Sequence, residues 1–442
     1  KAAALPRLMG EIDLQSEVIE ENDVGRAKHV FVGGGIASLS GAVILIRDHG
    51  VDGSDIVILE AGPIEGGSLD GTRTEDGAYV VRGARMLEVN YRCTLDLMAS
   101  IPSPDLPGET LAADFWAFNS DHPVPHTCIP VTQGGVGRDP GWQLPRRHLR
   151  ALLRMLLRSE ARLDGKRICD VLDRDFFESD MWLIFSTVFA FQPWHSAAEL
   201  RRYMRRFLDH GQSPAHNTNM LTTRYNQADS LIGPIRAWLA DRGVSLKTAE
   251  TVTDAIFEQL SNGKRRVSQL VVNGVPHSLG AEDRVYFTLG SMTDGASVSA
   301  PGAPAPATGP TPAFDLWKRL ANAAPGFGRP EVFAWDEALT NWYSFTLTLP
   351  RGGLSAHLGA LNPESAGATV LYPFKDSPWR AALVPFFQPH FRDQPAETEV
   401  IWGYGLRPDR RGAHCGVALE EATGADVIDE IAGHLAMNAE TR

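Results

Sequence analysis

Apolar positions along this chain repeat at two spacings, and the changes of spacing mark its elements. A short apolar run at 29–32 breaks on Gly33 and Gly35, and a helix-period segment follows at 36–46. A second apolar run at 56–59 closes on Glu60. The order is strand, tight glycine turn, helix, strand, acid. A glycine loop occupies 61–68, and residues 79–88 run from a strand into another glycine turn. Helical spacing returns at 145–163, with arginines at 146, 150, 154, 158 and 162. Leu149, Leu152, Leu153, Leu156 and Leu157 form its apolar side. That pattern predicts a core-packed helix with a solvated arginine face; its rival is a basic helix resting on anionic lipid.

A further helix is predicted from 197 to about 210, where Leu200, Met204, Phe207 and Leu208 share a face and Tyr203 stands beside them. His195 and Glu199 lie four apart there, which suits capping or packing, and no metal site is expected. Another helix is predicted over 230–243. Strands are predicted near 245–247, 251–257, 265–272 and 283–289, the last ending at Gly290 and Ser291. The proline-rich stretch 301–312 cannot hold a regular ladder and reads as a linker or loop. Residues 331–409 are rich in aromatic and β-branched side chains, as in a sheet lining an apolar pocket. The polar, acidic residues 1–25 read as an arm.

The stretch from 29 to 60 carries chemistry. In a dinucleotide-binding unit the first glycine permits the turn, and the second lets backbone amides approach a pyrophosphate. The helix N-terminus then faces the anion. Glu60, ending the second strand, would accept hydrogen bonds from a ribose. Ser38 takes the third glycine position and is small enough for close helix packing. The competing reading is an ordinary strand–helix–strand turn with no nucleotide.

At 442 residues, two or three subdomains are expected. A net charge of −12 argues against nucleic acid as a partner. Cys93, Cys128, Cys169 and Cys415 lie far apart, with neither a zinc spacing nor a disulfide framework. The expectation is a cytoplasmic protein, with peripheral membrane contact left open.

Several words in order carry a resemblance. They are Gly-Gly-Gly-Ile-Ala-Ser-Leu at 33–39, Ile-Arg-Asp at 46–48, Gly-Gly-Ser-Leu-Asp-Gly at 66–71 and Arg-Gly-Ala-Arg-Met at 82–86. Phe-Ala-Phe-Gln-Pro-Trp-His-Ser-Ala at 189–197, Tyr-Asn-Gln at 225–227 and Gly-Ser-Met-Thr at 290–293 continue the series. Phe-Gly-Arg-Pro at 327–330 and Gln-Pro-His-Phe at 388–391 extend it to most of the chain. This sequence resembles the fatty-acid double-bond hydratases, the oleate hydratases also called myosin-cross-reactive antigens. The resemblance implies an α/β (α+β overall) fold: a Rossmann-like FAD-binding domain with a discontinuous substrate-binding domain and helical insertions. Its implied boundaries are an arm (1–25), an FAD-binding domain (26–102 and 245–300), a helical substrate or lid region (103–244), a linker (301–312) and a substrate-binding domain (313–442).

The resemblance also implies roles. FAD would lie against Gly33, Gly35, Ala37, Ser38, Glu60, Gly66, Gly67, Ser68, Arg82, Gly83, Val252, Thr288, Gly290 and Ser291. Tyr203 matches the family's proton donor to the alkene. The family's water-activating glutamate falls on Met86, a thioether that cannot act as a base, and Glu88 is the nearest carboxylate. Water could instead be oriented by backbone and flavin atoms. Of four polar groups that hold the substrate carboxylate in relatives, Gln227 and His390 match. The other two positions are Val384 and Phe386, so carboxylate binding should be weaker or fall to a basic residue elsewhere. Relatives continue beyond the position of Arg442 with a segment that returns to the flavin domain, which puts firm FAD retention in question. The implied activity is hydration of a cis double bond in a free unsaturated fatty acid, oleate to 10-hydroxystearate in type. The family tends to form homodimers, and nothing in the sequence identifies an interface. The rivals are a flavin oxidoreductase of the amine oxidase-like class and a non-catalytic fatty-acid-binding relative.

Overall fold

The computed structural model describes residues 26–69, 71–123, 128–132, 135–136, 144–208, 220–291, 293–306, 311–323, 326–333 and 337–437. The arm expected at 1–25 lies outside the described residues. The chain divides into two compact units. The smaller draws on Lys1–Glu65, Leu239–Gly290 and Pro312–Pro330, and the larger on Gly66–Trp238, Ser291–Thr311 and Glu331–Arg442.

The smaller unit is built on a parallel four-stranded sheet in the order Arg284–Phe287, His29–Val32, Ile56–Leu59, Ser245–Lys247. All four residues of Ile56–Leu59 are buried, as are Val30, Phe31 and Val32. An unbroken apolar run suits a strand covered on both faces. Burying each such side chain stabilises by roughly 1.5–3 kcal/mol, so a charge at Val30 or Ile58 would break the sheet first. The helix Ile36–His49 runs three residues past its expected end. It stops at Gly50, whose φ of 66° is left-handed and whose N–H donates to the Leu45 carbonyl. An antiparallel group, Val252–Gln259, Arg265–Val272 and Val275–Ser278, packs with Leu316 and Leu320 of the helix Pro312–Ala323.

The larger unit centres on an antiparallel sheet ordered Tyr343–Pro350, Thr398–Gly405, Ala381–Pro385, Tyr372–Pro373. This is the aromatic-rich sheet expected within 331–409. Residues 66–102, expected with the nucleotide unit, belong here instead. Tyr79 and Val81 donate their backbone N–H groups to the Thr348 and Thr346 hydroxyls at 3.0 and 3.1 Å, fastening the strand Tyr79–Val81 to the sheet. Residues 312–330 move the opposite way, because Leu316 and Leu320 fill the smaller unit's core.

The helix expected over 145–163 is interrupted. It runs Arg146–Leu157, Arg158 and Ser159 take extended backbone, and a short turn Glu160–Leu163 follows. Its core-packed reading holds for Leu152 and Met155, which are buried with His148. Leu149, Leu153 and Leu157 correct it, being 48, 49 and 85 % exposed. They recur every four residues on one face, away from the positions that meet the core. The helix expected over 230–243 begins with a π-helical turn, Ala228–Ile232, before Gly233–Ala240. No helix among the described residues is long and apolar enough to cross a membrane.

Candidate functional site

The sheet order of the smaller unit places the turn after His29–Val32 where sequence neighbours part to opposite sides, the position at which open α/β sheets bind ligands. Gly33 has φ 102°, and its N–H donates to the Leu59 carbonyl at 2.8 Å. A Cβ on Gly33 would meet Thr288 Oγ1 at 2.9 Å. Gly34 is equally constrained: its N–H donates to Glu60 Oε2 at 2.7 Å, where a Cβ would stand 2.8 Å away. Glu60 Oε1 accepts from the Gly62 N–H at 2.7 Å. Gly35 is the open one, with nothing within 4 Å of its Cβ direction. It begins the helix Ile36–His49 with no side-chain cap and no acid in the first turn, so the helix's first amides face no competing carboxylate.

Ser38 is fully buried and bonds Thr288 through their hydroxyls at 2.8 Å, so it joins helix to sheet. Ala37 is exposed on the first helical turn. Val252 turns its side chain into the core beside Leu270 and Val272, leaving only backbone for a ligand. Gly290 has φ 87° at the end of this unit. An anion-accepting helix terminus, an open glycine and an acid with both oxygens fixed fit the adenosine and pyrophosphate half of a dinucleotide.

The remaining expected cofactor residues belong to the larger unit. Gly66 and Gly67 have φ of 115° and 58°, and Gly67–Leu69, which contains Ser68, is a short 3-10 turn. Gly83 makes room for a neighbour: a Cβ there would stand 2.5 Å from Arg85 Nη1. Arg82 adjoins Gly83. The Ser291 hydroxyl accepts the Thr293 N–H at 3.1 Å.

Four positions singled out by the sequence converge. Met86, Gln227, Phe386 and His390, from three distant segments, line one cavity of about 20 Å³ with Ala84, Arg85, Thr222, Thr223, Arg224, Tyr225, Thr369 and Phe387. The segments are tied by backbone bonding. The Asn226 N–H and Nδ2 donate to the His390 carbonyl at 2.8 and 3.0 Å, just before the π-helical turn. Gln227 spends both amide protons on protein, on the Arg85 carbonyl at 2.8 Å and Thr223 Oγ1 at 3.0 Å. A substrate carboxylate would have to displace one of them. The His390 ring stacks on Phe386 with centroids 3.6 Å apart. Burial lowers its pKa to about 3, so it offers a neutral imidazole near pH 7. Val384 is not on this wall; it sits opposite Trp402 in the sheet, in an apolar cluster with Tyr79, Val81 and Tyr404. A cavity of this size holds about one water, so an acyl chain enters only if the walls part.

Tyr203 and Glu88 belong to a second group. Tyr203, 39 % exposed on the helix Ala197–Leu208, meets the Phe189 and Phe191 rings edge-on, each with centroids 5.2 Å away. Glu88 is buried in the two-residue strand Leu87–Glu88, and its Oε2 lies 3.5 Å from Arg206 Nη2. The Arg206 guanidinium lies 4.9 Å from the Tyr91 ring centroid. Sequence reading missed Gly34, Tyr91 and Arg206. The signal for the last was available, since Arg206 follows Tyr203 at helical spacing.

The smaller unit's sheet order, glycine turn and fixed acid define a Rossmann-like fold, and the larger unit adds an antiparallel sheet carrying a cavity. The MCRA family model matches residues 26–442, and the chain belongs to that family. A Streptococcus pyogenes serotype M49 (strain NZ131) protein named oleate hydratase is 30 % identical over 448 residues, 98 % of this chain and 74 % of that one. A Lactiplantibacillus plantarum protein named linoleate hydratase is 30 % identical over 451 residues, 93 % of this chain and 78 % of that one. Among solved structures, an oxidoreductase from Methanosarcina mazei reaches TM-score 0.48 at 12 % identity, covering 86 % of this chain and 79 % of that one.

Proposed function

We propose that this protein adds water to a cis double bond of a free unsaturated long-chain fatty acid, with FAD as its cofactor. The observation that carries the reading is the convergence of Met86, Gln227, Phe386 and His390 on one cavity. Within the smaller unit, Gly33, Gly34, Gly35 and Glu60 would hold the adenosine and pyrophosphate. When bound, FAD orders the surrounding loops and contributes local electrostatics, with no net electron transfer in a hydration.

The chain's own residues carry the proton chemistry. Tyr203 gives its phenolic proton to one alkene carbon. The Phe189 and Phe191 rings lie beside it, and a ring face turned to the reacting carbon would stabilise the positive charge that develops. Water attacks the other carbon. Met86 cannot take its proton, so that work passes to another group, with Glu88 the candidate. Excluding bulk water matters, because a carbocation-like centre in open solvent loses its position and stereochemistry.

Anaerobic incubation of oleate with the reduced, FAD-loaded protein tests this: a product heavier by one water is expected. No product in either flavin redox state refutes hydration, and full activity in Tyr203→Phe refutes the assigned donor. A second reading, non-catalytic fatty-acid binding, draws on Met86, Phe386 and the small cavity; saturable binding without turnover would select it. Flavin reduction by the substrate would select an oxidoreductase instead.

The same reading extends to a peripheral contact with anionic lipid, from which fatty acids would be drawn. Exposed Leu149, Leu153 and Leu157, with exposed Arg146, Arg150 and Arg154 on the same helix, support it.

A further inference from the structure

Met86 leaves the attacking water without its usual base, and the second side-chain group shows where the proton can go. Glu88 lies two residues beyond Met86, in the strand Leu87–Glu88. It is 1 % exposed, so its carboxylate needs an opposite charge, which Arg206 supplies at 3.5 Å. The Tyr91 N–H donates to the Glu88 carbonyl at 3.0 Å, closing a turn that brings the phenol back over the Arg206 guanidinium. Arg206 and Tyr203 are three residues apart on one helix, which sets their Cβ atoms about 5–6 Å apart on one face. Glu88, Tyr91, Arg206 and Tyr203 thus form one continuous group. Burial raises the Tyr91 pKa; Arg206 pulls it down, and the nearby Glu88 and Tyr203 push it up again. A raised phenol stays protonated near neutral pH and can pass a proton on without ionising at rest.

We propose that Glu88 accepts the proton released by the attacking water and that Tyr91 returns it to Tyr203, with Arg206 as the positioning residue for both. The inference rests on the hydration reading above. The alkene's π pair takes the Tyr203 proton to form a C–H bond, and the water oxygen forms a C–O bond to the other carbon. The resulting oxonium loses one proton to the Glu88 carboxylate. Glu88 then protonates the Tyr91 oxygen while the original Tyr91 proton moves to the Tyr203 phenolate. Alkene and water become an alcohol, every side chain is restored, and no electrons are exchanged.

Stopped-flow hydration by the full-length, FAD-loaded protein separates this relay from a merely structural role. In Tyr91→Phe, the first turnover starts from a protonated Tyr203 and should run near the wild-type rate. Later turnovers should slow by about 10²-fold, the usual size of one acid–base contribution, leaving a burst of one product per site. Glu88→Gln should slow first and later turnovers alike, and Arg206→Lys should lower kcat with KM unchanged. Equal slowing of all turnovers in Tyr91→Phe, or no slowing in Glu88→Gln, overturns the relay while hydration itself stands. Absence of hydration in the wild type overturns the reading beneath it and the relay together. Tyr91→Phe removes only a hydroxyl, so it remains decisive even if Glu88→Gln does not fold.

Discussion

Replacing Glu430 by glutamine gives the sharpest prediction about stability. Glu430, on the helix Gly424–His434, is fully buried beneath the loop around residue 414. Its Oε1 accepts the Ala413 N–H at 2.8 Å and bonds His434 Nε2 at 3.0 Å. Its Oε2 accepts the His414 and Cys415 N–H groups at 2.7 and 3.0 Å. Burial alone would raise its pKa. The bonds from His434 and the three amides outweigh it and hold the carboxyl down to about 2, against an ordinary 4.5. That difference corresponds to about 3 kcal/mol of folding stability. Because the folded pKa is depressed, this stability is fully present above pH 4.5 and is lost as pH falls from 4.5 through about 2. Glutamine cannot reproduce it, since its NH₂ would face at least one amide donor. Urea unfolding should show Glu430→Gln weaker than wild type by about 3 kcal/mol at pH 7, with the gap narrowing steadily below pH 4.5. A gap that stays constant between pH 7 and pH 3 would refute the charge-based account and leave only lost packing.

Three further outcomes follow from the geometry. Gly34→Ala would bring a Cβ to 2.8 Å from Glu60 Oε2; FAD affinity should fall at least about tenfold, read from flavin absorbance on titration, and undiminished affinity would sever Glu60 from the cofactor. Met86→Glu restores a carboxylate to the cavity wall, so kcat for hydration should rise about tenfold or more, and an unchanged rate would show that water handling has left that position. Leu153→Glu with Leu157→Glu should cut co-sedimentation with phosphatidylglycerol vesicles at least about tenfold, whereas unchanged sedimentation would remove that helix from any lipid contact.

The legible parts of the fold were those where one strong local signal has one structural cause. The runs at 29–32 and 56–59 appear as strands because burial on both faces demands unbroken apolar residues. The break after Leu157 was hidden, since arginine and leucine spacing continues through Arg158 and Ser159 while the backbone does not. The exposed leucines were hidden too, because periodicity defines an apolar face and is silent about what covers it. In the glycine turn, sequence fingerprints singled out Gly33 and Gly35, yet the close approach to Glu60 falls at Gly34. Tyr91 lay beyond the pattern because its meeting with Arg206 depends on long-range packing.

The carboxylate end of the cavity leads to the last prediction. Phe386 contributes no donor, Val384 lies off the wall, Gln227 has committed both amide protons, and His390 is neutral and stacked. The full positive charges on the wall are Arg85 and Arg224. Arg224 already bonds Asp114 through Nε and Nη2, at 3.3 and 2.6 Å, but a guanidinium carries five N–H donors and keeps several for a second anion. Under the proposed hydration of a free acid, recognition of its head group would therefore fall to guanidinium. A hydrogen bond to a charged group contributes about 1.5–3 kcal/mol. Arg224→Met should accordingly raise KM for the free acid about tenfold or more and leave the methyl ester nearly unchanged. The ester is the control for structure, since loss of the Asp114 pair would harm both substrates alike. Equal losses for acid and ester would remove Arg224 from head-group recognition and leave that task to Arg85.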